Sequence, residues 1–130
     1  MRYRKFGKSG LQISEIGFGS WGIGGAVQGA LGYGPTNDKD SQLALRRAFE
    51  LGINFYDTAD LYGFGHSESL LGETFQKMRE KVIFASKVGF LNPEGAQDFS
   101  VQHIEKSLHE SLNRFQTDYI DLYQLHNPPL

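Results

Sequence analysis

Short apolar segments alternate with amphipathic segments along the chain. The apolar segments cover residues 16–19, 53–56, 82–85 and 119–123 and are rich in isoleucine, valine and aromatic residues. Each is short and not strictly alternating, which is typical of parallel strands covered on both faces. Their starts lie about 30 to 37 residues apart, the length of one β-loop-α-loop unit. The pattern therefore predicts four parallel strands joined by right-handed helical crossovers.

The first predicted helix runs from Asp38 to Leu51. Asn37 or Asp38 can cap its start, and Gly52 is placed to end it in left-handed geometry. Its expected buried stripe, by helical spacing, consists of Ala44, Ala48 and Leu51.

Two further helices and a hairpin complete the prediction. The second helix begins near Ser67, with Glu68 favourably placed in its first turn against the helix dipole. Ahead of the first strand, residues 1–5 and 11–16 flank a glycine-containing turn and predict a β-hairpin. The third helix opens at Ser100, and its apolar face consists of Val101, Ile104, Leu108 and Leu112.

Composition narrows the class of protein. The 130 residues are 39% hydrophobic and 22% charged, which predicts one soluble globular domain over residues 1–130 in the cytoplasm. The net charge of −2, with scattered cations, gives no case for a nucleic-acid or membrane-surface partner. No apolar run approaches the roughly 20 residues that a membrane helix needs. Because there is no cysteine, disulfides and Cys-ligated zinc are excluded, and no metal is expected.

A glycine-rich stretch follows the first predicted strand. Residues Gly17 to Gly22 match the letters of G-x-G-x-x-G, but the dinucleotide-binding motif needs a helix to start there. Further glycines up to Gly34, and then Pro35, argue against a helix. A flexible linker and a functional loop at the mouth of a barrel are the remaining interpretations, and the second is favoured.

Four side chains of complementary chemistry follow successive predicted strands. Asp57 and Tyr62 lie in the string Asp-Thr-Ala-Asp-Leu-Tyr-Gly, Lys87 ends the third strand and His126 ends the fourth. Because parallel strands end at one rim, these groups are expected to converge. An ammonium favours the ionised form of a nearby phenol, and a carboxylate keeps the ammonium charged. Tyr62 can then protonate a carbonyl oxygen, while His126 donates a hydrogen bond to that oxygen.

Together with Gly19-Ser20-Trp21 after the first strand, these strings closely resemble the aldo-keto reductases over essentially the whole chain. The resemblance implies an α/β fold: the N-terminal half of a TIM (β/α)8 barrel, about four β/α units preceded by a β-hairpin. The C-terminal half, which holds most of the cofactor site in that family, is expected to be absent.

The resemblance also implies a reaction, the NADPH-dependent reduction of aldehydes and ketones to alcohols. The catalytic tetrad would be Asp57, Tyr62, Lys87 and His126. The residues near the nicotinamide would be Gly19, Ser20, Trp21 and Asp57. The substrate would be a small carbonyl compound, and the isolated chain is expected to have little or no turnover.

A half barrel leaves unpaired strand edges, so self-association or binding of the complementary C-terminal half is expected, most simply as a dimer. Two alternatives stay open beside the enzyme. One is a cofactor-sensing regulatory subunit, like the β-subunit of potassium channels, which shares this fold. The other is a half-barrel fragment made for folding studies.

Other polar residues are weaker candidates. His66 precedes a helix and is interpreted as structural or as lining the rim, and Asp60 is not a member of the tetrad. The remaining histidines and aspartates are interpreted as solvated or as lacking a catalytic partner: His103, His109, Asp118 and Asp121.

Overall fold

The computed structural model describes residues 1–26 and 32–129, so residues 27–31 of the glycine-rich stretch lie outside the described part. An antiparallel hairpin of β1 (Tyr3–Lys5) and β2 (Gln12–Ser14) precedes alternating strands and helices. The elements that follow are β3 (Phe18–Gly19), α1 (Asp38–Glu50), β4 (Phe55–Asp57), α2 (His66–Phe75), β5 (Ile83–Val88), α3 (Val101–Phe115) and β6 (Leu122–Leu125). The predicted order of hairpin, strands and helices is confirmed.

Strands β3 to β6 form one parallel sheet in the order of the chain. The register pairs Gly19 with Asp57, Asp57 with Ala85, and Lys87 with Gln124. Because paired residues share a face and side chains alternate along a strand, these five residues lie on one face of the sheet. Sequential parallel strands with intervening helices are the arrangement found in half of a β/α barrel.

The other face of the sheet is covered by the helices and forms the core. Tyr56 of β4 and Phe84 of β5 are fully buried there. The ring of Phe75 from α2 lies 4.7 Å from that of Tyr56, and Phe84 stacks on Phe115 of α3 at 4.8 Å. Since this core fixes the helices against the sheet, it also fixes the strand ends that carry the polar residues.

Helix α1 has the predicted ends but a different buried face. The Asn37 side chain accepts hydrogen bonds from the backbone of Lys39 and Asp40, and Gly52 has a φ of +91°. The expected stripe is wrong at Ala44 and Leu51, which are both exposed. The residues that α1 buries are Ser41, Leu45 and Ala48.

The predicted apolar face of α3 is also corrected. Val101 is 65% exposed, and the other three predicted residues are only half-buried. The residues of α3 that are fully buried are Ser107, Ser111 and Phe115. Helices α2 and α3 approach so closely that a Cβ at Gly72 would lie 2.6 Å from the backbone of Phe115. Small residues are needed at such a crossing, and they occupy the buried face.

The stretch after β3 is a short 3-10 helix, Trp21–Ile23, and not an α-helix. The prediction that Gly17 to Gly22 is not the start of a dinucleotide-binding helix is therefore confirmed. Within the described ranges, no helix has the length and apolarity needed to cross a bilayer.

Candidate active site

Lys87 lies at the centre of the predicted catalytic set. Its ammonium donates to Oδ2 of Asp57 at 2.8 Å, to the carbonyl oxygen of Thr58 at 2.7 Å and, at a longer 3.4 Å, to the phenol oxygen of Tyr62. An ammonium has three N–H donors, so these three acceptors use all of them. The Lys87 side chain is 15% exposed, and its ion pair with Asp57 is therefore partly shielded from solvent. The structure thus brings three of the four predicted groups into direct contact.

Tyr62 is presented by a tight turn between β4 and α2. Its backbone N–H donates to the carbonyl of Ala59 at 3.1 Å. The next residue, Gly63, has a φ of +62°, and a Cβ there would lie 2.1 Å from the carbonyl oxygen of Gly24. Only glycine fits this turn. Because Lys87 donates to the phenol oxygen, the phenol hydrogen is free to be donated to another group.

His126 is the fourth group and follows β6. Its ring lies edge-on to Tyr62 at 6.0 Å and edge-on to Phe90 at 4.8 Å. Burial and the charge of Lys87 lower the pKa of His126, and the charge of Asp57 only partly opposes this shift. The imidazole is therefore neutral near neutral pH, the form that can donate one hydrogen bond.

A cavity of about 380 Å³ opens beside these residues. Tyr62 and His126 contribute to its wall, whereas Asp57 and Lys87 do not line it. The rest of its wall is formed by Trp21, Leu61, Phe90, Pro93 and Asn127. A mostly apolar cavity with a few polar groups is typical of a small-molecule site. A larger groove of about 650 Å³ lies near Arg79 and Tyr119, away from the tetrad.

Three of the four residues expected near a cofactor differ in accessibility. Gly19 is exposed and has open space where a Cβ would be, and Trp21 is 38% exposed with its ring 6.5 Å from Tyr62. Ser20 is fully buried, and its hydroxyl donates to the carbonyl of Asp57 at 2.9 Å. The side chain of Ser20 therefore fixes the end of β4. That Ser20 lies near the nicotinamide stays a prediction.

Two buried polar contacts around the site were not predicted. The hydroxyl of Ser67, expected only as the start of α2, lies 2.7 Å from that of Ser20 and accepts from Thr58 at 2.9 Å. Glu68 does lie in the first turn of α2, but it is fully buried. Its Oε2 accepts from Nε of Arg114 at 2.6 Å. A Ser-Glu pair at a helix start is too common a pattern to signal either contact.

Asp60 does not line the cavity beside Tyr62. It is half-buried and lines a separate cavity of about 220 Å³ with Phe64 and Arg114. Burial, and then the charge of Glu68, raise the pKa of Asp60 to about 7.

The remaining weaker candidates make structural contacts or face solvent. His66 links the loop at Gly24 to the start of α1, since Nδ1 lies 2.9 Å from the Gly24 carbonyl oxygen and Nε2 lies 3.2 Å from Asp38. His109 is exposed, as expected, whereas His103 is half-buried. Asp121 pairs with Arg79 at 2.7 Å. None of these four polar residues lines the cavity beside Tyr62.

Comparison with known proteins agrees with this fold. The model of the aldo/keto reductase family matches residues 15–130. The chain is 42% identical to the uncharacterized oxidoreductase YqkF of Bacillus subtilis, over 97% of this chain and 39% of that protein. It is 36% identical to the aldo-keto reductase yakc of Schizosaccharomyces pombe, whose name includes NADP(+), over 95% of this chain and 36% of that protein.

Solved structures give the same result. The holo form of the aldo-keto reductase AKR11C1 from Bacillus halodurans matches with a TM-score of 0.83 and 38% identity, over 97% of this chain and 40% of that one. The chain therefore belongs to the aldo/keto reductase family and has its α/β fold, as the resemblance implied. It spans about two fifths of the length of the relatives that it matches.

Proposed function

We propose that this chain carries the proton-transfer groups of an NADPH-dependent carbonyl reductase, which converts aldehydes or ketones to alcohols. The observation that carries the proposal is Lys87, whose ammonium contacts Asp57, Thr58 and Tyr62 beside an apolar cavity. When bound, NADPH supplies the hydride that adds to the carbonyl carbon. One hydride and one proton then account for the alcohol.

Tyr62 is the group that gives this proton. Its phenol hydrogen is transferred to the carbonyl oxygen, and the phenolate that remains is stabilised by the ammonium of Lys87. Asp57 forms an ion pair with Lys87 and holds its ammonium beside Tyr62. The neutral imidazole of His126 donates a hydrogen bond to the same oxygen and stabilises its developing negative charge.

The accessible residues beside Tyr62 fit the nicotinamide end of the cofactor. Trp21 offers an exposed aromatic ring, and Gly19 leaves open space next to Asp57 at the strand ends. The name of one relative includes NADP(+), which supports NADPH. The apolar wall formed by Leu61, Phe90 and Pro93 favours a small carbonyl compound with an apolar body.

The proposal includes a partner for the sheet. Strands β3 and β6 each have one neighbour in the described sheet, so each leaves an edge of unpaired backbone groups. We infer that a second copy, or a complementary C-terminal half, covers these edges. The remote part of NADPH would then find its contacts in the assembled form, and the dilute chain would turn over little or no substrate. The cytoplasm remains the expected location.

The experiment is a titration with NADPH that follows the fluorescence of Trp21, repeated at several protein concentrations. Saturable quenching that strengthens with protein concentration is expected, because assembly completes the cofactor site. An assay with a small aldehyde then compares Tyr62→Phe with the control Tyr119→Phe, which lies far from the cavity. Tyr62→Phe is expected to lose about 10²- to 10⁴-fold in turnover and to keep the quenching.

Each other outcome is decisive. No saturable quenching up to millimolar NADPH at any protein concentration would contradict cofactor binding by this chain. Turnover that survives in Tyr62→Phe would contradict its role as the acid. Quenching without turnover at protein concentrations where the unaltered chain is assembled would favour the cofactor-sensing regulatory role instead.

A further inference from the structure

The imidazole of His126 lacks the hydrogen bond that ordinarily orients a functional histidine. Its Nδ1 is buried and has no hydrogen-bond partner within residues 1–26 and 32–129. A partner on the second ring nitrogen is what commonly fixes the tautomer and the direction of the ring. Other contacts must therefore hold this ring beside Tyr62.

Gln97 holds the backbone on the C-terminal side of the His126 ring. The side-chain Nε2 of Gln97 donates to the carbonyl oxygen of His126 at 3.1 Å and to that of Asn127 at 3.0 Å. On the opposite side, the backbone N–H of His126 donates to the carbonyl of Val88 in β5 at 2.8 Å. These three bonds fix the chain where it leaves β6, at a point where Asn127 adopts a φ of +51°.

Gln97 belongs to a loop that also contacts the ring directly. Phe90 and Gln97 form an antiparallel bridge, and the N–H of Leu91 donates to the carbonyl of Ala96 at 2.8 Å. The ring of Phe90 meets that of His126 edge-on at 4.8 Å. One loop between β5 and α3 thus holds the backbone of His126 through an amide and its imidazole through an aromatic ring.

We propose that Gln97 is a positioning residue that sets where the imidazole of His126 lies against Tyr62. It is not among the residues that line the cavity, so it acts through His126 and not on a substrate. Without its amide, the end of β6 is free to move and the ring leaves the position between Phe90 and Tyr62. The importance of this position for the reaction rests on the proposed function, whereas the contacts themselves do not.

The test follows the histidine rings by NMR in the 130-residue chain without cofactor or substrate. Gln97→Met keeps the length of the side chain and its neutrality but removes the hydrogen-bond donors. Gln102→Met, at an exposed position of α3, is the matched control. His66, with its own contacts to Gly24 and Asp38, reports whether the rest of the fold is intact.

In Gln97→Met the pKa of His126 is expected to rise toward the usual value of a free imidazole, because the ring becomes more hydrated and moves away from Lys87. The nuclear Overhauser contact between Phe90 and His126 is expected to weaken, with His66 unchanged. An unchanged His126 in both respects would overturn the proposal. A shift of His66 together with His126 would also overturn it, since Gln97 would then support the whole fold. Because no cofactor is present, these outcomes are independent of NADPH binding.

Discussion

Removal of the Arg114 guanidinium would expose the energetic cost of the buried carboxylate of Glu68. Glu68 is fully buried and its Oε2 lies 2.6 Å from Nε of Arg114, whose side chain is 25% exposed. Its other oxygen accepts from the hydroxyl of Ser86. A buried charge that loses its partner costs about 3–5 kcal/mol. Ser86 and the water that can reach the vacated side both reduce this cost, so Arg114→Met is expected to lower the free energy of unfolding by about 3 kcal/mol.

The assay is urea unfolding followed by circular dichroism at pH 7, with the midpoint and the slope fitted separately. The matched control is Arg47→Met, because Arg47 and Glu50 form a pair 3.0 Å apart whose side chains are 66% and 61% exposed. Such a surface pair is worth about 0–1 kcal/mol. The double variant Arg114→Met with Glu68→Gln is expected to lose less than Arg114→Met alone, since no unpaired charge remains. A loss in Arg114→Met no greater than that of the control would refute the argument.

Two further predictions concern Asp60 and Gly72. Burial and the charge of Glu68 raise the pKa of Asp60 to about 7 in the folded chain, whereas an aspartate in the unfolded chain has a pKa of about 4. The folded state therefore holds this proton more tightly. The stability that the proton contributes is fully present below pH about 4 and is lost as the pH rises through about 7. Asp60→Asn cannot ionise, so the urea midpoint of this variant is expected to gain on that of the unaltered chain as the pH is raised from 5 to 8. The same difference between the two midpoints at pH 5 and at pH 8 would contradict this. Gly72→Ala would place a Cβ 2.6 Å from the backbone of Phe115 and is expected to cost about 1–3 kcal/mol in the same assay. The control for Gly72→Ala is Glu73→Ala, at the exposed neighbouring position, which is expected to change the free energy of unfolding by no more than about 0.5 kcal/mol. Equal losses in the two variants would argue against a close helix crossing.

The order of the elements was predictable because it depends on local patterns. Apolar segments of strand length that alternate with helical segments leave few arrangements other than sequential parallel strands. The helix caps were predictable for the same reason: Asn37 bonds residues two and three positions away. These are interactions that a short window of sequence contains.

The buried faces of the helices were not predictable in this way. In α3, apolar spacing pointed to Val101 and the leucines, yet Ser107 and Ser111 are buried more deeply. At Gly72, helix α2 packs directly against the backbone of Phe115 in α3, and such packing is a property of two helices together. The apolar periodicity of one helix does not predict how closely the neighbouring helix approaches it.

The same distinction applies to the residues of the candidate site: those placed by local patterns could be predicted, and those placed by distant contacts could not. Asp57, Lys87 and His126 could be predicted because each lies at or just after the C-terminal end of a strand, and parallel strands end together. Glu68, Ser67 and Gln97 could not, because they contact Arg114, Ser20 and His126, which lie 46, 47 and 29 positions away. A buried polar residue with a distant partner has the same local sequence as a solvated one.

The contacts that surround Lys87 differ in how firmly they are held. Thr58 is fully buried and its hydroxyl bonds that of Ser67, which in turn bonds Ser20, so the segment that carries Asp57 is fixed at three points. The contact with Tyr62 is the longest of the three that the ammonium makes, at 3.4 Å, and it reaches a turn outside this hydroxyl network. Loss of the phenol proton strengthens the attraction between Tyr62 and Lys87, since a charged pair forms a shorter hydrogen bond. In the proposed reaction, the rigid part of the site therefore holds the ammonium in place while the distance to Tyr62 shortens around the departing proton.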